Sequence, residues 1–236
     1  MNEDTRRKLR GVSVATLATA LFKRGLRGQV VQDVRPIGRR GRNMVGPAFT
    51  LRYMPAREDR NTLAEFRRPD HKQRVAIETC PASHVMMIDS RGDATAASAG
   101  DILVTRLMVR GAEGIVTDGG FRDAMNMEGI AMPVYHKRPS SPTNLTINEA
   151  IEMDVPIGCG GAPVFPGDVV VGDADGVIVV PAEMADEIAD EAVEMTVYED
   201  FVLERVQAGE TIIGLYPGTK PEHADAFAEW RRARGR

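Results

Sequence analysis

Cysteine is nearly absent from this 236-residue sequence, which contains only Cys80 and Cys159. The two residues lack the spacing of a metal site, and two cysteines are too few to staple a chain of this length. A disulfide scaffold and a cysteine-ligated metal site are therefore excluded. So few cysteines fit a reducing compartment, and we expect both thiols to be small buried side chains.

Long hydrophobic runs are also missing. No stretch of about eighteen apolar residues occurs. The apolar part of the N-terminus is interrupted by Thr16, Thr19 and Lys23, and no small-residue cleavage site follows it. The lack of a long apolar run argues against a membrane helix, and the lack of a cleavage site argues against a secretory signal. We therefore expect a cytoplasmic protein without membrane contact.

Neither sign of charge dominates, because 30 basic and 34 acidic residues are spread along the chain and give a net charge of -4. This balance argues against a surface built to attract nucleic acid phosphates. Hydrophobic residues make up 43% of the sequence, which is enough at this length to bury one large core. We expect a single globular unit with terminal extensions and no direct binding of nucleic acid.

The first part of the chain contains a helix followed by two strands. The segment SVATLATALFKR, residues 13–24, predicts an amphipathic helix with Ser13 as its cap and Gly25 after its end. MVGPAFTLRYMP, residues 44–55, alternates in the manner of a half-buried strand. The run VMMI, residues 85–88, predicts a fully buried strand.

The middle of the chain contains a charged segment and, after it, a segment with the periodicity of a helix. Residues 57–80 are dense in charge and predict a surface excursion with a short helix. GDILVTRLMVRG, residues 100–111, has apolar side chains at helical spacing before a glycine stop, and AEGIVTDGG, residues 112–120, predicts a short buried strand. A helix, a strand, a glycine turn and then charges are typical of a site in an α/β fold.

The second half predicts hairpins followed by helices. Short strands separated by Gly-Gly, Pro-Gly and Asp-Gly lie between residues 155 and 181, so the sheet is expected to be partly antiparallel. Asp173 and Asp175 lie in a tight turn and not in a calcium loop, since the distal glutamate is absent. A long helix follows Pro181, and a short one around residues 224–230 precedes basic residues that we expect to be frayed.

The stretch VTDGGFRDAMNMEG, residues 116–129, carries the most chemistry. Glycines at 119 and 120 permit positive φ and let a ligand approach the backbone. Arg122 offers a planar charged fork that fits a carboxylate, and Asp123 offers a hard oxygen suited to Mg²⁺ or Mn²⁺. The alternative from the residues alone is that Asp123 caps the next helix and Arg122 is a surface side chain.

The run from Gly100 to Pro181 resembles the family that contains the class II 4-hydroxy-4-methyl-2-oxoglutarate aldolases and the RraA-type regulators of ribonuclease activity. GDILVTRLMVRGAEGIVTDGGFRD matches its helix, strand and G-x-x-R-D site, PVFPGDVVVGDADGVIVVP looks like its closing hairpins, and VATLATALFKRGL is similar to its opening helix. The resemblance implies an α/β fold of the swivelling β/β/α type, which is phosphohistidine-domain-like, with a mixed sheet and a C-terminal helix. It implies one domain over residues 1–236, with a helical extension from about residue 182.

The resemblance also implies an assembly and a set of site residues. The assembly is a homotrimer or homohexamer with sites at subunit interfaces. A pyruvate-like moiety binds at the helix start, Gly100, Asp101, Ile102 and Leu103, and at Arg122, while the motif's metal ligand, for Mg²⁺ or Mn²⁺, is Asp123. Asp101 takes the acidic position that contacts metal-bound water or transfers a proton.

Physical reasoning supports these roles. Unpaired N–H groups at the positive end of a helix attract a carboxylate, and Arg122 can stabilise negative charge on the substrate. Asp101 has an alternative role as a charge that the same dipole favours. A Schiff-base mechanism is disfavoured, since neither of the two central motifs, residues 100–123 and 163–181, contains a lysine. Lys137 lies just beyond the first motif, and we expect His136 to be a solvated loop residue.

Several positions depart from the family's pattern. Thr19 stands where the opening helix often carries an aspartate. Residues 138–156 diverge from the common aldolase form, and we expect this segment to select the substrate. Some relatives donate an acid from the C-terminal part of a neighbouring subunit; Glu194, Glu199 and Glu204 are available here, but none can be assigned.

These observations predict a divalent-metal-dependent lyase that acts on a 2-oxo acid, by retro-aldol cleavage to pyruvate or by decarboxylation of an oxaloacetate-type compound. Both reactions pass through the same enolate. One alternative is a non-catalytic regulator that binds a ribonuclease. Because such regulators can lack the aspartate after the arginine, the presence of Asp123 favours the enzyme. A metal-dependent sugar-acid dehydratase is the third possibility.

Overall fold

A nine-stranded mixed sheet runs through the centre of the computed structural model, which describes residues 1–38 and 42–236. The strands are β1 (Val30–Val31), β2 (Arg35–Pro36), β3 (Met44–Pro55), β4 (Val85–Asp89), β5 (Ala97–Ala99), β6 (Gly114–Thr117), β7 (Gly120–Phe121), β8 (Val134–His136), β9 (Arg138–Pro139), β10 (Asn148–Met153), β11 (Ile157–Cys159), β12 (Ala162–Val164), β13 (Val169–Gly172) and β14 (Val177–Val180). The α-helices are α1 (Glu3–Arg10), α2 (Val14–Lys23), α3 (Leu63–Phe66), α4 (Lys72–Thr79), α5 (Asp101–Val109), α6 (Ala124–Glu128), α7 (Ala185–Gln207) and α8 (Pro221–Arg234). Short 3-10 turns cover Asn144–Thr146 and Ala182–Met184.

Parallel and antiparallel pairing divide the main sheet. Its order is β1-β14-β13-β3-β4-β6-β8-β2, with β10 also paired to β3. The inner strands β3, β4, β6 and β8 are parallel neighbours, whereas the β13–β14 hairpin and the edge strands pair antiparallel. The hairpins expected between residues 155 and 181 are therefore confirmed as β11–β12 and β13–β14.

A separate three-stranded sheet positions the site. Strand β5 pairs in parallel with β7, with Ala99 opposite Phe121, and β7 pairs in parallel with β9. This small sheet brings the start of α5, which directly follows β5, beside the residues that follow β7. Segments about twenty residues apart in the sequence thus become neighbours in space.

The apolar side chains of the main sheet explain its central position. Strands β4 and β6 are buried on both faces, as continuous Val, Met and Ile runs in parallel strands require. The expectation of a half-buried strand over residues 44–55 was wrong for most of its length. Helices and the β11–β12 hairpin cover both sides of β3, so only its end from Arg52 onward alternates between buried and exposed positions.

Two groups of helices cover the sheet. Side chains of α4 and α5, including Ile77, Val104 and Leu107, are buried against Leu51 and Ile115. The second group consists of α1, α2 and the first half of α7, which pack on valines of β13 and β14. Its buried side chains include Leu9, Leu17, Leu21 and Ile188. Ser13 caps α2 as expected, because its side chain accepts a hydrogen bond from the Thr16 N–H.

Two expectations for charged segments need correction. Residues 57–80 contain two helices, α3 and α4, and α4 is part of the core because Ala76 and Ile77 are fully buried. The basic C-terminus is not frayed. Arg231, Arg234 and Arg236 lie within ion-pair distance of acids on α7, at 2.6, 2.7 and 2.7 Å, and α8 is correspondingly longer than expected. Opposite charges along the two helices hold the terminus in place.

The C-terminal helices have a small core of their own. This core lies where α8 and the segment before it pack on the second half of α7. Its buried residues are Val197, Phe201, Val202, Leu215 and Trp230. Across the described ranges, none of the helices is long and apolar enough to cross a membrane.

Candidate functional site

A cavity of about 270 Å³ lies at the N-terminal end of α5. It is lined by Phe66, Gln73, Arg74, Ala97, Ala99, Gly100, Asp101, Ile102, Leu103, Arg122, Asp123, Thr143 and Asn144. All six residues that the sequence predicts for the site line this one cavity. The divergent segment 138–156 supplies Thr143 and Asn144 to its wall.

Backbone pairing brings the two sequence motifs together. The Arg122 N–H donates to the Ala99 carbonyl at 3.2 Å, next to Gly100. Gly100, the residue before α5, has no side chain that could cap the helix, and among the first N–H groups that of Asp101 donates to Asp123 Oδ2 at 3.4 Å. Such N–H groups carry the positive end of the helix dipole and attract an anion. The cavity therefore has an anion-binding wall made of backbone and of Arg122.

Arg122 and Asp123 form a neighbouring pair of opposite charges. The Arg122 Nε lies 3.2 Å from Asp123 Oδ2, and the same oxygen is 3.4 Å from the Asp101 N–H. Asp123 has a left-handed backbone, with φ 61° and ψ 37°, and its side chain makes no cap hydrogen bond to α6. The capping alternative is thus absent from the structure, because the carboxylate turns toward α5 and away from the helix that follows it.

The other predicted residues differ in their surroundings. Asp101 Oδ2 accepts a hydrogen bond from the Asn126 side chain at 2.7 Å, which orients its carboxylate. Leu103 packs partly against the core, whereas Ile102 is 80% exposed. The apolar stripe expected for α5 was therefore wrong at Ile102; Val104 and Leu107 fill the buried face.

Glycines at the site are required by close approach. A Cβ on Gly119 would lie 2.6 Å from the Ser90 Cβ, and one on Gly120 would lie 2.6 Å from the Ser140 Cβ. Neither glycine has a positive φ, so the turn does not use the left-handed backbone that these glycines permit. The turn instead packs too tightly for any side chain.

Buried polar groups below the turn were missed by the sequence analysis. The hydroxyls of Ser90, Ser98 and Thr117 contact one another at 2.6 to 2.9 Å, and the Thr117 hydroxyl also accepts the Gly119 N–H at 3.0 Å. Asp118 is 4% exposed. The only signal for these residues was that they lie in or directly after buried strands.

A second arginine, Arg74, was also missed. It lines the cavity, and its guanidinium lies over the Phe66 ring at 4.3 Å from the centroid. Both residues fall in the charged segment that looked like a surface excursion. The density of charge over residues 57–80 concealed that α4 turns one face toward the site.

The basic residues beyond the motif lie elsewhere. Lys137 donates to the Gly92 carbonyl at 3.2 Å and lines a different cavity of about 310 Å³. No lysine is among the residues that line the α5 cavity in the described part of the chain. His136 is 4% exposed and stacks on Phe121, so the expectation of a solvated loop histidine was wrong. Burial lowers the pKa of His136 to about 4.

The acids of α7 are engaged within their own chain. Glu194 and Glu204 pair with arginines of α8, and Glu199 accepts a hydrogen bond from the Thr16 hydroxyl at 2.9 Å. Thr19 is outside the cavity and donates to the Ala15 carbonyl. These residues therefore do not contribute to the cavity within one chain.

The donor set suits a weakly coordinated hard cation. Within residues 1–38 and 42–236 no group of three or more His, Cys, Asp or Glu residues could enclose a metal ion. Mg²⁺ commonly keeps several waters and binds through one or two carboxylates together with its substrate. Asp123, with its side chain about one-third exposed at the cavity, fits this mode, and the oriented Asp101 carboxylate can hold a water beside it.

Comparisons with known proteins agree on one family. The family model described as RraA-like, Aldolase/RraA, matches residues 14–179. A Halalkalibacterium halodurans protein with the provisional name 4-hydroxy-4-methyl-2-oxoglutarate aldolase is 29% identical over 179 residues, which is 75% of this chain and 79% of that protein.

Solved structures show the same fold. Streptomyces coelicolor RraAS2, described as an unusual member of the RNase ES inhibitor RraA protein family, superposes with a TM-score of 0.76 at 30% identity and covers 85% of this chain and 96% of its own. A Pseudomonas syringae protein has a TM-score of 0.77 at 22% identity, covers 92% of this chain and 98% of its own, and supports the fold alone. The predicted mixed α/β fold with a C-terminal helix is confirmed.

Proposed function

Because this chain belongs to the RraA-like, Aldolase/RraA family, we propose that it is a divalent-metal-dependent lyase that acts on a 2-oxo acid. The reaction is retro-aldol cleavage to pyruvate or decarboxylation of an oxaloacetate-type acid. The observation that carries the proposal is the convergence of the Arg122–Asp123 pair and the N-terminal end of α5 on one small cavity.

Each residue has a defined part in this proposal. The N–H groups near Gly100 to Leu103 bind the substrate carboxylate at the helix end. Asp123 holds a Mg²⁺ or Mn²⁺ ion, which supplies Lewis-acid chemistry when bound. Arg122 stabilises the negative charge that develops on the 2-oxo oxygen as the carbon–carbon bond breaks. Asp101, oriented by Asn126, passes a proton to or from a water.

A ribonuclease-binding regulator is the second candidate. It is favoured by the 30% identity to RraAS2 over most of both chains. The Asp123 carboxylate, directed at the start of α5, has no part in such a role. Assembly as a trimer or hexamer stays a prediction.

Replacement of Asp123 by Ala tests the enzyme. We expect Asp123→Ala to abolish metal-dependent pyruvate release from a panel of 2-oxo acids without lowering stability, because an exposed turn carboxylate contributes little to the core.

Arg122→Lys should keep Mn²⁺ affinity and lose about a hundredfold in kcat/KM, since lysine lacks the two-pronged donor. Coupled pyruvate assays and Mn²⁺ calorimetry give both readouts.

Chelation separates the two candidates. EDTA should remove the activity, and Mg²⁺ or Mn²⁺ should restore it. Wild-type turnover by Asp123→Ala would show that Asp123 is not the metal ligand. Tight, metal-indifferent binding to an endonuclease with no turnover of any 2-oxo acid would favour the regulator.

A further inference from the structure

We propose that residues 57–71 form a lid over the α5 cavity and that Phe66 is the side chain that closes on the bound ligand. The inference rests on the proposed function only for the identity of that ligand, a 2-oxo acid. It concerns a segment outside all three of the stretches that carry the family resemblance.

The segment is anchored at both ends. Before it, the Ala56 N–H donates to the Ile147 carbonyl at 2.9 Å. After it, the Gln73 Nε2 donates to the Tyr53 hydroxyl at 2.9 Å and to the Ser98 carbonyl at 2.6 Å, and these three residues are buried. The end of β3 and the start of α4 are therefore fixed, and the chain between them can move without disturbing the main sheet.

Between the anchors, the segment makes hydrogen bonds and ion pairs only with itself and with the first turn of α4. Its backbone hydrogen bonds have their partners between residues 57 and 75 in the part of the chain that the structure describes. Helix α3 contributes no buried side chain to the core. The ion pairs are equally local and join Arg57 to Asp59, and Arg68 to Glu65 and Asp70. A segment with so few contacts to the core opens at little cost in free energy.

Phe66 is the side chain through which the segment reaches the α5 cavity. Among the described residues 57–71, it alone lines that cavity. Its ring centroid lies 4.3 Å from the guanidinium carbon of Arg74 and 5.1 Å from the ring of His71. A cation over an aromatic face gives a modest attraction at a partly exposed site. The Phe66–Arg74 contact is therefore a latch that holds the lid on α4 and can open.

A second cavity lies on the other side of the segment. It has a volume of about 520 Å³ and separates the segment from β10 and from the 3-10 turn before β10. Most of its lining side chains are charged or polar, so it suits water better than a packed apolar interface. Phe66 lines both cavities. Its ring lies at their boundary, where a small displacement changes the access of water to the proposed site.

Closure of an apolar ring suits the proposed chemistry. A developing enolate takes a proton from any water that reaches it, and enzyme lids exclude water from such a site while the substrate is bound. Phe66 has no group that could itself donate a proton. With the ring closed, proton transfer is left to Asp101, which the proposed function already assigns to that step.

Limited trypsin digestion tests the lid, because the segment contains cleavable bonds after Arg57, Arg60 and Arg67. We expect trypsin to cut the free protein first within residues 57–71, as mass spectrometry of the fragments will show. Saturating Mg²⁺ with pyruvate, the product of the proposed reaction, should slow this cleavage at least about fivefold, since cleavage follows the population of the open state.

Phe66→Ala removes the closing side chain and the latch. Trypsin should cut the free variant about threefold faster or more than the wild-type protein, and Mg²⁺ with pyruvate should slow that cleavage by less than about twofold. Phe66→Leu should retain part of the protection. Leu63→Ala is the matched control, because Leu63 lies in the same helix, is 65% exposed and lines neither cavity. It should behave as the wild-type protein does.

Two results would overturn the lid. One is a first cut outside residues 57–71 in the free protein, and the other is equal behaviour of Phe66→Ala and Leu63→Ala with and without the ligand. If the free Phe66→Ala protein is cut faster but no 2-oxo acid binds or is cleaved, the latched segment stands and the lyase assignment fails. If pyruvate is released from a 2-oxo acid and the cleavage of the segment does not respond to it, the lyase stands and the lid is wrong.

Discussion

At the scale of single residues, Gly100 links the backbone of the site to its charged pair. A Cβ at this position would lie 2.7 Å from Asp123 Oδ2 and 3.3 Å from Arg122 Cγ and Nε. Its φ is -119°, a value that any residue can adopt. The glycine is needed for space and not for conformation, so a methyl group there would displace functional side chains while leaving the backbone unstrained.

Gly100→Ala should therefore impair the site without impairing the fold. We expect kcat/KM on the active 2-oxo acid to fall about tenfold or more, because a displacement of about 1 Å can cost that much in rate. The melting temperature should change little, since the displaced atoms are side-chain ends. Gly28→Ala, whose Cβ would meet nothing within 4 Å, is the control. Unchanged kinetics of Gly100→Ala would place the reacting groups elsewhere.

His136 gives a pH dependence of stability. Its folded pKa is lowered to about 4 by burial and by the charge of Arg35, so the unfolded chain binds the proton first as the pH falls. The stability contribution is present above the unfolded pKa of about 6.5 and is lost as pH falls toward 4. Half-buried Asp89 and buried Asp168, whose pKa values are raised by desolvation, act in the opposite sense.

His136→Phe should remove this component, because phenylalanine keeps the stacking on Phe121 without a titrating nitrogen. Between pH 7.5 and pH 5 the wild-type free energy of unfolding should lose about 2 kcal/mol more than that of the variant. Urea denaturation of both proteins at the two pH values gives the difference. Equal losses would show that His136 titrates at an ordinary pKa in the folded protein.

At the scale of elements, three loops meet at one buried carboxylate. Asp118, between β6 and β7, accepts N–H groups from Ser90 at 2.7 Å, Gly92 at 2.9 Å and Gly160 at 3.1 Å. These donors belong to the loop after β4 and the turn between β11 and β12. A single side chain thus holds the glycine turn before Arg122 against two other segments.

The contribution of Asp118 can be measured with an isosteric change. Asp118→Asn replaces one accepting oxygen by an NH₂ group that faces a backbone donor, which should lower the free energy of unfolding by about 1 to 3 kcal/mol. The loss should appear in urea denaturation at neutral pH. Asp175→Asn, in an exposed hairpin turn, is the control. A change below about 0.5 kcal/mol would mean that solvent replaces the lost bond.

How far the sequence predicts the elements depends on how local their signals are. Helix α2 and the hairpins follow from Ser13 and from glycine and proline positions, which act within a few residues. Helix α4 was missed as part of the core because the burial of Ala76 and Ile77 depends on contact with distant strands. The cavity wall at Arg74 is invisible in the sequence for the same reason. The G-x-x-R-D motif is contiguous, so Arg122 and Asp123 could be proposed without a fold.

At the scale of the whole molecule, the C-terminal helices form a second, smaller packing unit. The family match ends at residue 179. Helix α7 begins after this point, at Ala185, and runs from the main core to a separate cluster. Its first half packs through Ile188 and Ala192 on the sheet, and its second half packs through Phe201 on Trp230. The single helix therefore connects two cores of unequal size.

This arrangement predicts that the C-terminal unit unfolds first. Trp230 is the only tryptophan and is 9% exposed against Phe201 and Phe227, so its fluorescence reports the small cluster. We expect the fluorescence transition in urea to lie roughly 0.5 M or more below the circular dichroism transition, because the small cluster buries less apolar area. Phe201→Leu should lower only the fluorescence midpoint, whereas Ile115→Val in the main core should lower the circular dichroism midpoint. Coincident transitions in the wild-type protein and both variants would show instead that α7 couples the two cores into one cooperative unit.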